Sequence, residues 1–310
     1  MTEANADNSL RTLDLALVAG SAVSRPGLDI EEVASDEQVI HRCHEVRELL
    51  ASRNIRLHRD SELSKLLRDA DQVARSSLDK QPSRRTRQLV RAAYANRVAS
   101  AIVSVGKDEA AWACLKRMSR HSIDPLKRTR SQAKDAVWEI ELAAVLRRLG
   151  LTSNLAEPDL VIDVAGESYP IACKKVYSEK GVEARMRSGI SQLEAFGAPG
   201  LVAFNLDDLA QEDSFFVSQD PRSAGDNLAA LNRQFVDRHA HRLSRFVLDG
   251  RCHGVLVTTS VVVDFKHVMP GVSTYSQSTI WTPYEPGGAA GKAFDWVVKH
   301  VQHLGAVDQV

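Results

Sequence analysis

Residues 157–176 read EPDLVIDVAGESYPIACKKV, and this stretch restricts the fold more than any other. Two runs of strand formers, DLVIDV and YPIACKKV, flank the short turn AGES with its Gly166. That pattern predicts a β-hairpin, because a tight turn favours a residue that tolerates positive φ. The residues before it, SQAKDAVWEIELAAVLRRLG, predict an amphipathic helix with Ala136, Ile140, Ala143, Ala144, Leu146 and Leu149 on its apolar faces. Gly150 stands where a C-cap glycine ends such a helix. A second helix is predicted over about 179–196, stopped by Gly197, Ala198, Pro199 and Gly200. GLVAFNL, apolar on both faces, reads as a buried central strand. A helix over about 224–248 then leads to the strand HGVLVTTSVVV. The last forty residues hold a Pro/Gly-rich stretch, TPYEPGGAAGK, and a predicted terminal helix over 293–304. The order helix, hairpin, helix, strand, helix, strand predicts an α/β domain over 125–310.

The first 124 residues differ in character and predict an α-helical N-terminal domain. Residues 1–35 mix small and polar side chains and are expected to wrap loosely on the rest. From 36 to about 120 the period is helical: Val39, Ile40, Cys43, Val46, Leu49 and Leu50 recur at three- and four-residue spacing. Asp60 or Ser61 is placed to cap the next helix, and QPSRR breaks it from the one after. The chain is long enough to bury a sizeable core, and its 44% apolar and 26% charged residues are ordinary for a globular protein. The net charge is zero, but residues 81–130 hold twelve Lys/Arg against three Asp/Glu, an excess of nine. Such a run is either a solvated helix face or a surface for phosphates. Four scattered cysteines without a C-x-x-C pair fit a reducing compartment. MTEANADNSL has neither the basic nor the apolar region of a signal peptide, so the cytoplasm is the expected location.

The hairpin also carries chemistry. Asp159 opens its first strand, and Ala172 and Lys174 follow 13 and 15 residues later on one face of the second. Magnesium-assisted phosphodiester hydrolysis needs carboxylates for the ion and a positive group near the attacking water. With Pro158-Asp159, the triplet Ala172-Cys173-Lys174, and Trp138-Glu139 eleven residues before Gly150, residues 131–209 resemble the PD-(D/E)XK, or restriction-endonuclease-like, nuclease core. Gln192 on the following helix fits a glutamine that related families often place there. The resemblance implies a mixed β-sheet flanked by helices, preceded by the helical domain, and a Mg²⁺- or Mn²⁺-dependent nuclease. It implies that Asp159 binds the metal, that the Cys173 carbonyl completes the inner shell, and that Glu139 binds directly or through water. Glu139 is preferred to Glu141, though the two could exchange. Lys174 would orient or deprotonate the water, and Gln192 would fix the substrate or a metal-bound water.

Ala172 departs from the family at the second metal carboxylate, and three readings stay open. The alanine is a silencing substitution, or the acid has migrated to Glu139 plus Glu141, Glu179 or Glu183, or catalysis was lost and binding retained. The expected substrate is nucleic acid, duplex DNA before single strands because aromatics are only 5% of the chain. Arg117, Arg120, Lys127, Arg128, Arg130, Arg185 and Arg187 are the candidate phosphate contacts. The alternatives are a catalytically silent nucleic-acid-binding module, or a protein-interaction subunit with an apolar patch on residues 36–105. A homo-oligomer or a protein partner is compatible with either. His41 with His44, His239 with His241, and the lone His253 and His267 are expected to be solvated. Cys173 is expected to bury its thiol away from the metal. GGAAGK reads as a flexible turn, and neither a G-x-x-x-x-G-K-[ST] nor a G-x-G-x-x-G loop is present.

Overall fold

The computed structural model describes residues 10–14, 31–75, 82–164, 166–209, 215–218, 221–265 and 272–283. The predicted terminal helix over 293–304, the GGAAGK turn and His267 lie outside the described residues. The chain begins with β1 (Leu10–Asp14) and β2 (Glu31–Ala34), where the sequence suggested only a loose wrap. Helices α1 (Asp36–Ser52), α2 (Glu62–Arg75), α3 (Pro82–Val105), α4 (Ala111–Arg120) and α5 (Gln132–Arg148) follow. Then come β3 (Ser153–Ala156), β4 (Asp159–Val164), β5 (Glu167–Lys175), a 3-10 turn (Glu179–Gly181) and α6 (Val182–Phe196). The described chain ends with β6 (Leu201–Asn205), β7 (Phe215–Ser218), α7 (Pro221–Leu248), β8 (Gly254–Phe265) and β9 (Val272–Pro283).

Local signals explain the element boundaries. Ser35 and Gln38 form a reciprocal capping box at the start of α1, satisfying two amides that a bare helix leaves unbonded. The Ser61 hydroxyl accepts from the Ser64 amide at 3.2 Å, so the serine is the cap at α2. The break QPSRR contributes Pro82 as the first residue of α3, where a missing N–H is harmless. In the hairpin turn Gly166 sits at φ 84°, and its N–H donates to Asp163 Oδ1 at 2.8 Å. Gly197, at φ 88°, closes α6.

All nine strands join one mixed sheet, in the order β1-β9-β8-β6-β5-β4-β3, with β2 also on β9 and β7 also on β8. The β5–β6, β6–β8 and β7–β8 pairs are parallel, and the others are antiparallel. The central strands are buried on both faces, and their side chains alternate between two cores with the two-residue period of a pleated sheet. Ile171, Cys173, Leu201, Ala203, Leu256 and Ile280 face a core shared with α1 to α5. Ala172, Val202, Phe204, Val255, Val257 and Trp281 face a second core built with α6 and α7. The molecule is thus a mixed α/β structure with helices on both faces. The first core is continuous from Ala34 to Ile280, so it crosses the boundary expected at residue 124. Among the described residues no helix is long and apolar enough to cross a membrane.

Close approach of backbones fixes the centre of the sheet. A Cβ on Gly200, just before β6, would stand 2.0 Å from the Pro170 carbonyl oxygen of β5. Because the obstacle is backbone, no rotamer relieves it. Gly200→Ala is therefore expected to lower the unfolding free energy in urea by about 1–3 kcal/mol, with an unchanged m value.

Candidate functional site

The start of β4 is held against β5 by its own side chain. Asp159 Oδ2 accepts from the Cys173 amide at 2.7 Å and from Lys174 Nζ at 3.1 Å. The same ammonium donates to the Cys173 carbonyl at 2.9 Å and to Gln192 Oε1 of α6. All three Lys174 protons therefore have acceptors, and the side chain has no freedom to wander. The Gln192 amide nitrogen donates in turn to the Pro158 carbonyl at 2.7 Å and weakly to Asp159 Oδ1 at 3.4 Å. The structure thus brings together Asp159, Lys174 and Gln192, from β4, β5 and α6.

Glu139 approaches from α5, on the other face of the sheet. Arg117 of α4 grips it with both terminal nitrogens, one of them at 3.1 Å from Oε1. The Cys114 thiol donates to Oε2 at 3.2 Å. Burial pushes the Asp159 carboxyl up to about 6; Lys174 opposes the shift and the Glu139 charge adds to it. Burial, reinforced by Glu139, pushes the Cys114 thiol up to about 12, and burial drives Cys173 well above its ordinary value. Both are held as neutral thiols at physiological pH and are poor nucleophiles.

A cleft of about 660 Å³ opens beside this group; Asp159 and Glu139 line it, whereas Lys174 and Gln192 stand behind Asp159 and do not. Glu139, Asp159 and Glu157 give it an acidic floor, and Lys116, Arg117 and Arg120 of α4 give it a basic wall. Of the other predicted phosphate contacts, none lines this cleft. Lys127 lies 3.9 Å from Asp124, and Arg128 and Arg130 occupy the same segment between α4 and α5. The Arg185 guanidinium lies 6.0 Å from the Tyr177 ring, and Arg187 pairs with Glu183 at 2.7 Å.

Ala172 is fully buried in the core under α6. It pairs with Val202 in the β5–β6 ladder, and a Cβ on Gly189 of α6 would stand 2.9 Å from Val202 Cγ1. Small residues at 172 and 189 therefore let the helix lie close to the sheet. The carboxylates suggested as replacements are engaged elsewhere. Glu141 lies 2.9 Å from Arg97, Glu179 holds His239 and Arg238, and Glu183 holds Arg187 and Arg245. Of the two glutamates on α5, Glu139 is the one that reaches the cleft. Among the described residues no group of three or more His, Cys, Asp or Glu is placed to hold a metal ion. Three carboxylates line the cleft, of which Glu139 is paired with Arg117 and Asp159 with Lys174. A magnesium ion held by one or two of these carboxylates would need waters and substrate phosphate to complete its shell.

The histidines divide. His41 and His44 are exposed and pair along α1 with Glu45 and Glu48, as expected of solvated residues. His239 is buried on Glu179, and His253 Nδ1 lies 2.9 Å from the Tyr169 hydroxyl, so neither is solvated; both fill polar gaps between packed elements. The sequence reading overlooked Trp112 and Cys114. Trp112, Lys116, Arg117 and Arg120 follow helical spacing, a signal that would have placed the tryptophan on the basic wall. Comparison with protein-family models, with curated proteins and with solved structures finds no match for this chain.

Two outcomes follow from the burial of this group. Folded Asp159 keeps its proton up to about pH 6, whereas the unfolded residue loses it near 3.8. Its contribution to stability therefore falls as pH rises from about 4 to 6 and is level above. The difference in unfolding free energy between the natural chain and Asp159→Asn should drift in favour of the variant across that window; a flat difference would contradict it. Ala172→Glu places a carboxyl in an apolar core. It is expected to cost about 2–5 kcal/mol at pH 8, and less at pH 5, where the buried acid can hold its proton.

Proposed function

We propose that the chain binds nucleic acid in this cleft and hydrolyses its phosphodiester bonds, as a PD-(D/E)XK nuclease with a restriction-endonuclease-like core. The observation that carries the reading is the convergence of Asp159, Lys174 and Gln192 in one hydrogen-bonded group, whose Asp159 lines a cleft together with Glu139. These residues are far apart in the chain, and their contact supports the reading. Asp159 and Glu139 would hold Mg²⁺ or Mn²⁺. Such an ion, when bound, polarises the phosphate and lowers the pKa of a water. Lys174 presents a fixed ammonium beside Asp159, suited to stabilising charge that develops on phosphate oxygens. Gln192 positions that ammonium, and Arg120 with Lys116 supplies charge for phosphates entering along α4, Arg117 being held by Glu139.

A second reading, binding without cleavage, is favoured by one observation: position 172 is apolar and fully buried, so the site has one acid fewer than the family pattern. The protein-interaction reading finds less support. The large apolar side chains exposed among the described residues are Trp112, Phe196, Leu231 and Leu248, all outside 36–105.

The test is cleavage of circular DNA, linear DNA and RNA in Mg²⁺ or Mn²⁺, by the natural chain and by Lys174→Ala and Asp159→Asn. The natural chain should cut at least one substrate, and each variant should be slower by about 100-fold or more. Salt-sensitive binding with no cutting by any form would establish the second reading. Equal cutting by all three would remove the site from the reaction.

A further inference from the structure

Trp112 is 44% exposed, although the other tryptophans of the described chain, Trp138 and Trp281, are buried. It stands on the first turn of α4 and lines the same cleft as Arg117, Arg120, Glu139 and Asp159. The Lys116 ammonium lies 4.7 Å from the centroid of its ring. Leaving an indole open to water beside the Lys116 ammonium, with Arg120 further along the same cleft, forgoes apolar burial that a helix residue could otherwise gain. What recovers that loss is a flat, electron-rich ligand that carries phosphate. An aromatic platform flanked by cations is the arrangement that holds unpaired nucleotides: the base stacks on the ring and the cations take the backbone.

From this geometry we infer that the cleft takes an unpaired nucleotide, stacked on Trp112, and so prefers single-stranded or locally opened nucleic acid to intact duplex. Within a duplex each base is already stacked on its neighbours and offers the ring no free face, so the platform adds affinity only where pairing is broken. The volume of about 660 Å³ lies in the range of about 300–1,000 Å³ typical of small-ligand clefts, ample for one splayed nucleotide. Lys116 would leave the indole for a phosphate as the base arrives. The acidic floor disfavours a phosphate directly over Glu139 and Asp159 and places it towards the α4 wall. This inference rests on the nucleic-acid reading of the cleft and names its substrate class.

The experiment measures binding of fluorescein-labelled oligo(dT)12, oligo(rU)12 and a blunt 12-base-pair DNA duplex without divalent metal. It compares the full natural chain with Trp112→Ala and Trp112→Phe. The single strands should bind more tightly than the duplex and quench tryptophan emission. Trp112→Ala should weaken single-strand binding about tenfold or more and leave the duplex almost unchanged, while Trp112→Phe should restore most of the loss. The two single strands distinguish DNA from RNA. Trp112 is exposed, so both variants should melt with the natural chain, and a circular-dichroism melt checks this. If single strands and duplex bind equally, or Trp112→Ala weakens both alike, the platform is overturned while the nucleic-acid reading stands. If no oligonucleotide binds any form, both fall together.

Discussion

The candidate site hangs on the antiparallel register of β4 and β5. Leu160 faces Ile171 and Ile162 faces Tyr169, so the apolar residues of both strands enter the core under α5. One step further along the ladder Asp159 meets the Ala172–Cys173 backbone, and its carboxylate captures the Cys173 amide and the Lys174 ammonium. A slip of one residue would turn Leu160 and Ile162 out of the core. It would also turn Asp159 away from Lys174 and Gln192. The burial that fixes the register thus fixes the chemistry at its end.

Charge inside this fold is held in pairs. Beyond Asp159 with Lys174 and Glu139 with Arg117, a second network lies past the ends of β5 and β6. Lys134 reaches Asp208 at 2.6 Å and Lys175 reaches it at 3.1 Å, while Arg97 lies 2.8 Å from Asp207 and 2.9 Å from Glu141. These side chains come from α3, α5, β5 and the segment after β6. Buried pairs add little net stability, but breaking one leaves a charge stranded. Their effect is to tie α3 and α5 to the ends of β5 and β6.

Much of the framework was legible because it is written in local periods. The hairpin turn, the buried GLVAFNL strand, the helix from Ser131 and the Gly197 stop each depend on residues a few positions apart. The strands at the sheet's far side were not: β1, β2 and β9 are defined by pairing across most of the chain, and nothing local in EEVA or LRTLD announces a strand. The histidines show the same divide. His41 and His44 were readable from a polar helix face, whereas His239 is buried, and His253 half-buried against Tyr169, by elements distant in sequence.

By itself the sequence determined which groups were available: two acids, a lysine, a glutamine and a basic helix at spacings that put each on a known element. Only the tertiary structure decided how they are used. It set Arg117 on Glu139, where composition had suggested a free phosphate contact, and it sent Glu141, Glu179 and Glu183 to other partners. It also gave Ala172 a role, since the methyl packs under α6 where a larger side chain would meet the helix. The reason is physical: side-chain spacing follows from backbone geometry within an element, but ion pairing and burial depend on which elements the whole core presses together.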